Sequence, residues 1–140
     1  MDQAKLLTHG VSIRPGKPTI IARMGNRALI GLPGHVASAM VVFYLFVRPL
    51  IRLFSGLTAT HGLPCVQAVT AEQIASATGR EDYVRVRLAA GDGHSLPLAH
   101  PIYGRSGLLS PLVAADGLLP IGRDVEGLDK GVQVQVLLFP

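Results

Sequence analysis

A Pro-Gly turn at Pro33–Gly34 opens directly into an apolar stretch that runs from Val36 to Val47. Only Ser38 interrupts this stretch, so the pattern predicts a helix that is apolar on nearly every face and packed on two sides. Arg48 and Pro49 end the apolar run, and proline at this place is expected to kink or restart the helix. A helix of this kind requires a fold in which other layers cover it.

The residues before the helix predict short β-strands. Residues 11–15 and 19–23 form two candidate strands around a Pro-Gly-Lys-Pro turn, and residues 24–27 predict a tight hairpin loop. Residues 28–32 are nearly all apolar, which is typical of a strand buried on both faces in a sheet covered by helices. The order strand, loop, helix favours a ligand at the carboxyl end of the sheet.

Beyond a Gly- and Pro-rich segment, the spacing of apolar residues changes from the period of a helix to the two-residue period of a β-strand. Alternation over residues 83–88 and 132–138, with further candidate strands at 66–71 and 96–102, predicts a small β-barrel or sandwich. Less regular segments predict a short helix at 106–113 and turns at 91–93 and 116–117. We therefore predict an α/β fragment at residues 1–57, a linker at 58–64 and an all-β barrel-like domain at 65–140.

Charge is concentrated in the first of these parts. Residues 1–57 contain seven basic side chains and one acidic one, whereas the remainder has a slight acidic excess. The cations are dispersed singly among aliphatic residues, with no basic run and no aromatic interleaving, so the pattern favours a small anion over nucleic acid. The twelve-residue apolar run is shorter than the roughly 20 residues that span a bilayer, and we expect neither a membrane span nor a signal peptide.

The chain offers few residues for catalysis. Its serines have no histidine or carboxylate at a motif spacing, and its five histidines lack the spacing of a zinc site. Asp2 is the only carboxylate of the first part, so a magnesium site there would lack ligands. Cys65 is the single cysteine, which fits a reducing cytoplasm, and we expect it to be a small buried apolar residue.

Anion binding is the chemistry that these residues can support. Lys17 lies between Gly16 and Pro18 in a loop stiffened by two prolines, and Arg14 adds a second cation before Pro15. A helix that starts after Pro33 and Gly34 would offer unpaired backbone N–H groups, with His35 and the Ser38 hydroxyl beside them. The two segments together predict a site for phosphate, molybdate or carboxylate. The alternative is that residues 15–18 form an ordinary solvent turn and Gly34 an ordinary helix start.

The ordered set of motifs resembles the C-terminal part of the molybdopterin molybdotransferase family, which includes bacterial MoeA and the E domain of gephyrin. The resemblance covers nearly the whole chain and is carried by residues 13–18, 32–39, 46–49, 79–85, 106–110, 114–118 and 131. It implies an enzyme that inserts molybdate into adenylylated molybdopterin with a magnesium ion, in an elongated homodimer whose site lies between subunits. The loops at 15–18 and 32–38 would then line the pterin phosphate and molybdate region.

The chain departs from the family pattern in two respects. The family has Asn-Pro after Leu-Pro-Gly, whereas here His35 is followed directly by Val36, which makes the loop one residue shorter. The family's acidic metal-binding motifs and first domains would lie before residue 1, so we expect this polypeptide to be inactive alone. The alternative is a non-catalytic dimerisation or scaffold module.

Overall fold

The computed structural model describes residues 3–91, 95–104 and 113–140. The helix predicted at 106–113 and the turn predicted at 91–93 lie largely outside these residues. The chain divides into two compact units, Met1–Gly62 and Leu63–Pro140, and each is described by itself.

The first unit combines a small sheet with one long helical segment. Its elements are β1 (Lys5–His9), β2 (Ile13–Arg14), β3 (Ile20–Met24), β4 (Arg27–Gly31), α1 (Val36–Val42), a π-helical turn (Phe43–Val47) and α2 (Arg48–Phe54). Strands β1, β3 and β4 pair antiparallel in that order. The predicted hairpin is confirmed, with Met24 opposite Arg27 and a positive φ at Gly25. Because these strands are antiparallel, the argument from the carboxyl end of a parallel sheet does not apply to them.

The helical segment differs from the sequence expectation in its burial. Pro49 lies in the first turn of α2, where the segment passes from π-helical to α-helical residues without a break, so the predicted kink or restart stays a prediction. The expectation of packing on two sides is wrong for this chain, since α1 buries one face and no residue of α2 is buried. Strand β4 is likewise mostly exposed, with Leu29 40% accessible, so its predicted burial on both faces is also wrong. The apolar pattern predicts that other residues bury these side chains, but the described residues bury only some of them.

The whole helical segment is longer than the apolar run alone indicated. It spans Val36–Phe54, 19 residues with a mean hydropathy of 1.7, and by length and composition it could cross a membrane. Arg48 and Arg52 near its end donate hydrogen bonds to the carbonyl oxygens of Gly62 and Thr58. The segment that follows α2 is thereby folded back onto the helix.

The second unit is built from strands that close on themselves. Its elements are β5 (Cys65–Thr70), β6 (Ile74–Ala75), β7 (Glu81–Ala89), β8 (Leu98–Pro101), β9 (Gly117–Ile121), β10 (Gly127–Leu128) and β11 (Gln133–Leu138). Neighbouring strands pair in the order β7, β8, β5, β11, β9, and β9 pairs again with β7, which completes a small barrel. Only β5 and β8 are parallel in this circuit. The predicted barrel-like domain is confirmed.

The core of the barrel follows the alternation in the sequence. Val86 and Val136 are fully buried at its centre, and Val84 and Leu88 pack against them as predicted. Two expectations are wrong. Gly117 begins β9 instead of forming a turn, because it pairs with Leu138 of β11, and its lack of a side chain lets the backbone pass close to the Leu137 carbonyl. Cys65 is exposed at the start of β5 instead of buried.

Candidate functional site

The Pro-Gly-Lys-Pro loop is held by a dense set of local hydrogen bonds. The carbonyl of Gly16 accepts the hydroxyl of buried Thr19 at 2.7 Å, and Thr19 N–H also donates to it at 3.2 Å. On the other side of the loop, Val11 N–H donates to the Lys17 carbonyl at 2.9 Å. The backbone of Lys17 is thus fixed while its side chain is exposed. This arrangement presents a cation on a rigid loop.

Gly16 anchors the loop against the helix. It has φ +127°, and a Cβ at this position would lie 2.7 Å from Ile13 Cδ1 and 2.9 Å from Val42 Cγ2. Glycine is therefore required both by the backbone conformation and by the close approach of the loop to α1. Arg14 and Pro18 flank the loop as exposed residues, and Pro15, which follows Arg14 through a cis peptide bond, is half-buried.

The second predicted segment forms the start of α1. Pro33 is buried, whereas Gly34 is exposed and a Cβ built on it meets nothing within 4 Å, so another molecule can approach this backbone. His35 precedes the first helical residue, and its carbonyl accepts Ala39 N–H at 2.9 Å. The first N–H groups of the helix have no acceptor within the helix itself. Ser38, in this first turn, is buried.

The Pro-Gly-Lys-Pro loop and the segment that begins α1 lie at different positions along the axis of this helix. Gly16 contacts Val42, which lies six residues after Val36 and therefore about 9 Å further along the helix axis. The loop thus docks beyond the first turn of α1. Convergence of the Lys17 ammonium with the amides of the helix start stays a prediction.

Magnesium does not fit the residues of this unit. Mg²⁺ prefers carboxylate oxygens, and residues 3–62 contain no Asp or Glu. Across the part of the chain that the structure describes, no three His, Cys, Asp or Glu side chains cluster as metal ligands. The buried carboxylate of Asp82 accepts hydrogen bonds from Arg80 and Ser76 inside the barrel, which is a structural use. No catalytic step through a metal follows from these residues.

Arg85 carries a buried donor that the sequence analysis did not select. Its Nη2 donates to the Gly104 carbonyl at 2.8 Å, while Nη1 is buried with no hydrogen-bond partner among the described residues. Burial lowers the pKa of this guanidinium from its ordinary value. The alternation of β7 indicated only that Arg85 lies on the face opposite the core, and a buried donor cannot be recognised from that pattern.

Comparison with known proteins begins with a family model. The model described as MoeA C-terminal region (domain IV) matches residues 67–139, which is most of the barrel unit.

Two named relatives align with both units of this chain. Molybdopterin molybdenumtransferase 2 of Mycobacterium tuberculosis is 32% identical over 126 residues, which cover 90% of this chain and 30% of the relative. The molybdopterin molybdenumtransferase of Bacillus subtilis is 29% identical over 97% of this chain and 31% of its own length. The chain therefore spans about a third of the length of these relatives.

A solved structure resembles the fold over the same extent. The molybdopterin biosynthesis moeA protein of Pyrococcus horikoshii superposes with a TM-score of 0.78 and 28% identity, over 96% of this chain and 32% of its own. The fold described above is therefore similar to one part of a protein about three times as long.

Proposed function

From the premise that this chain belongs to the MoeA family, whose C-terminal region it contains, we propose that it acts in molybdenum cofactor biosynthesis by contributing an oxyanion-binding loop. The relatives named molybdopterin molybdenumtransferase support molybdate and a molybdopterin as its ligands, and the family resemblance of the sequence motifs implies that the molybdopterin is adenylylated. Insertion of molybdate into the adenylylated pterin is the proposed reaction of the whole assembly. A cytoplasmic homodimer is part of the same proposal.

The rigid loop around Lys17 is the observation that carries this proposal. Because hydrogen bonds from Thr19 and Val11 fix the loop, little backbone conformational entropy is lost when the Lys17 ammonium meets an anion. Arg14 adds a cation at the start of the loop, and the open backbone at Gly34 provides amide donors near the same helix. These residues bind and orient oxyanions. They supply no carboxylate, so the metal and the rest of the reaction would depend on other groups, which supports inactivity of this polypeptide alone.

Equilibrium binding of molybdate to the whole chain, measured by isothermal titration calorimetry, tests the loop. Lys17→Ala is expected to weaken binding about tenfold or more, because a charge-assisted hydrogen bond is worth about 1.5–3 kcal/mol. Lys5→Ala is the matched control, since Lys5 is also an exposed lysine of this unit but lies on β1. We expect its affinity to stay within about twofold of the wild type, because it removes the same charge away from the loop. Equal loss in both variants would show only a general charge effect and would contradict the assignment.

A second candidate function is the non-catalytic assembly module. The exposure of large apolar side chains on α2, among them Phe54 at 68%, favours it. A chain that forms stable complexes but binds no molybdate would support this second function and remove the first.

A further inference from the structure

Two arginines of α2 converge on one glycine of the segment that follows this helix. We call this segment, residues 55–62, the connector. Arg48 Nη2 donates to the Gly62 carbonyl at 3.2 Å, and a Cβ built on Gly62 would lie 3.0 Å from Arg52 Nη1 and 3.2 Å from Arg52 Cζ. Because both guanidiniums contact the same residue, two positive charges are held side by side against the connector.

The connector is folded around this arginine pair. Arg52 Nε donates to the Thr58 carbonyl at 3.1 Å. Gly62 has φ +62°, which favours glycine, and the guanidinium of Arg52 lies against the space that a Cβ would fill. Arg48 lies over the Tyr44 ring, with its Cζ 5.7 Å from the ring centroid, where a cation is attracted to the aromatic face. Local contacts therefore set the positions of both guanidiniums before a ligand binds.

The hydrogen bonds that hold this pair go to neutral acceptors. They end on backbone carbonyls and use one of the five N–H donors of each guanidinium. Both side chains are half-buried, and an arginine keeps its charge over the whole pH range in which proteins fold. Like charges four residues apart on a helix repel each other. An anion between them would remove this repulsion and would accept further N–H donors.

We infer that Arg48, Arg52 and the connector form a binding site for a tetrahedral oxyanion of the phosphate type. Guanidinium groups suit this chemistry, because their planar N–H pairs donate to two oxygens of one phosphoryl group. The bound anion holds the two guanidiniums together, and through them it fixes the carbonyls of Thr58 and Gly62 to α2. Anion binding is thereby coupled to the order of the connector.

This site is distinct from the loop around Lys17. That loop contacts the helical segment at Val42, whereas Arg52 lies ten residues further along the segment, about 15 Å by helical rise. The inference therefore does not depend on the proposed function.

Titration of the whole chain with inorganic phosphate, followed by nuclear magnetic resonance, tests the inference. The reporters are the Nε–H signals of Arg48 and Arg52 and the amide signal of Gly62, at an ionic strength kept constant with sodium chloride. We expect these signals to shift saturably with phosphate and not with chloride alone. A response to methyl phosphate as well would identify the phosphoryl group of a larger molecule as the ligand class, whereas a response to inorganic phosphate alone would identify the free ion; both results support the site.

Arg52→Ala is expected to weaken phosphate binding about tenfold or more, as followed by the signals of Arg48 and Gly62, because one charge and its hydrogen bonds are lost. Arg52→Lys should weaken it less, since the charge is kept while the paired donors are lost. Arg23→Ala is the matched control, because Arg23 is an exposed arginine of the same unit that lies on β3. We expect its affinity to stay within about twofold of the wild type.

Three results would overturn the inference. These are an equal shift of the reporter signals with chloride, equal weakening by Arg52→Ala and Arg23→Ala, and loss of the Arg52 and Gly62 responses in Lys17→Ala. The comparison of phosphate with chloride uses the wild-type chain, so it decides the matter independently of any loosening of the connector by Arg52→Ala. Molybdate calorimetry at Lys17 does not depend on these signals, so this test and that of the proposed function fail independently.

Discussion

Replacing Gly16 by alanine should lower the free energy of unfolding of the first unit by more than the addition of one methyl group normally does. At φ +127° a residue with a Cβ is strained by roughly 1–3 kcal/mol. The new methyl would also lie 2.7 Å from Ile13 and 2.9 Å from Val42, and overpacking of this kind costs roughly 1–3 kcal/mol. The two contributions together predict a loss of about 2–6 kcal/mol, which is a large fraction of the stability of a small unit.

Urea unfolding followed by circular dichroism at 222 nm measures this loss, because the described helical segment Val36–Phe54 lies in the first unit. Gly34→Ala is the matched control, since its Cβ meets nothing within 4 Å and its φ lies outside the left-handed region. We expect the control to change stability by no more than about 0.5 kcal/mol. If Gly16→Ala and Gly34→Ala unfolded at the same urea concentration, the inferred anchoring of the loop on α1 would be refuted.

Two further predictions concern the barrel. Gly117→Ala places a methyl group against the backbone carbonyl of Leu137 on β11 and should destabilise the barrel by about 2–3 kcal/mol in thermal unfolding. Gly122→Ala is the control, because a Cβ at Gly122 meets nothing within 4 Å and should leave the stability unchanged. Equal melting temperatures for the two variants would contradict the close approach of Gly117 to Leu137. Burial and the hydrogen bond to Glu81 raise the pKa of Tyr83 above its ordinary 10.0, so above about pH 10 only the unfolded state releases this proton. Barrel stability should therefore fall as pH rises from about 10, and less steeply in Tyr83→Phe; identical slopes would disprove the linkage.

The parts of the fold predicted correctly were those in which the local pattern is sufficient. Alternation located β7 and β11, and the Gly-Asn pair located the β3–β4 hairpin. Strand β9 was missed because Leu118 and Leu119 are both fully buried, so this strand of the closed barrel shows no alternation. Strand β1 was missed because most of its residues are exposed and it pairs through a bulge.

Burial was predicted less well than strand position. The apolar composition of Val36–Val47 and of β4 indicated surfaces that need cover, but sequence pattern does not identify the covering residues. Cys65 shows the reverse error, since its residue type favours burial while its place at the start of β5 exposes it. Gly16 and Lys17 were selected for the site from their residue types, whereas the contact with Val42 depends on tertiary packing.

The closing of the barrel places the two ends of its chain side by side. Cys65 on the first strand lies opposite Leu137 on the last, and Leu138 N–H donates to the carbonyl of Pro64 at 2.8 Å. Where entry and exit are adjacent, the polypeptide can be rejoined by a short peptide and reopened at an exposed loop. The barrel is accordingly suited to circular permutation, and to insertion between two loop residues of another protein.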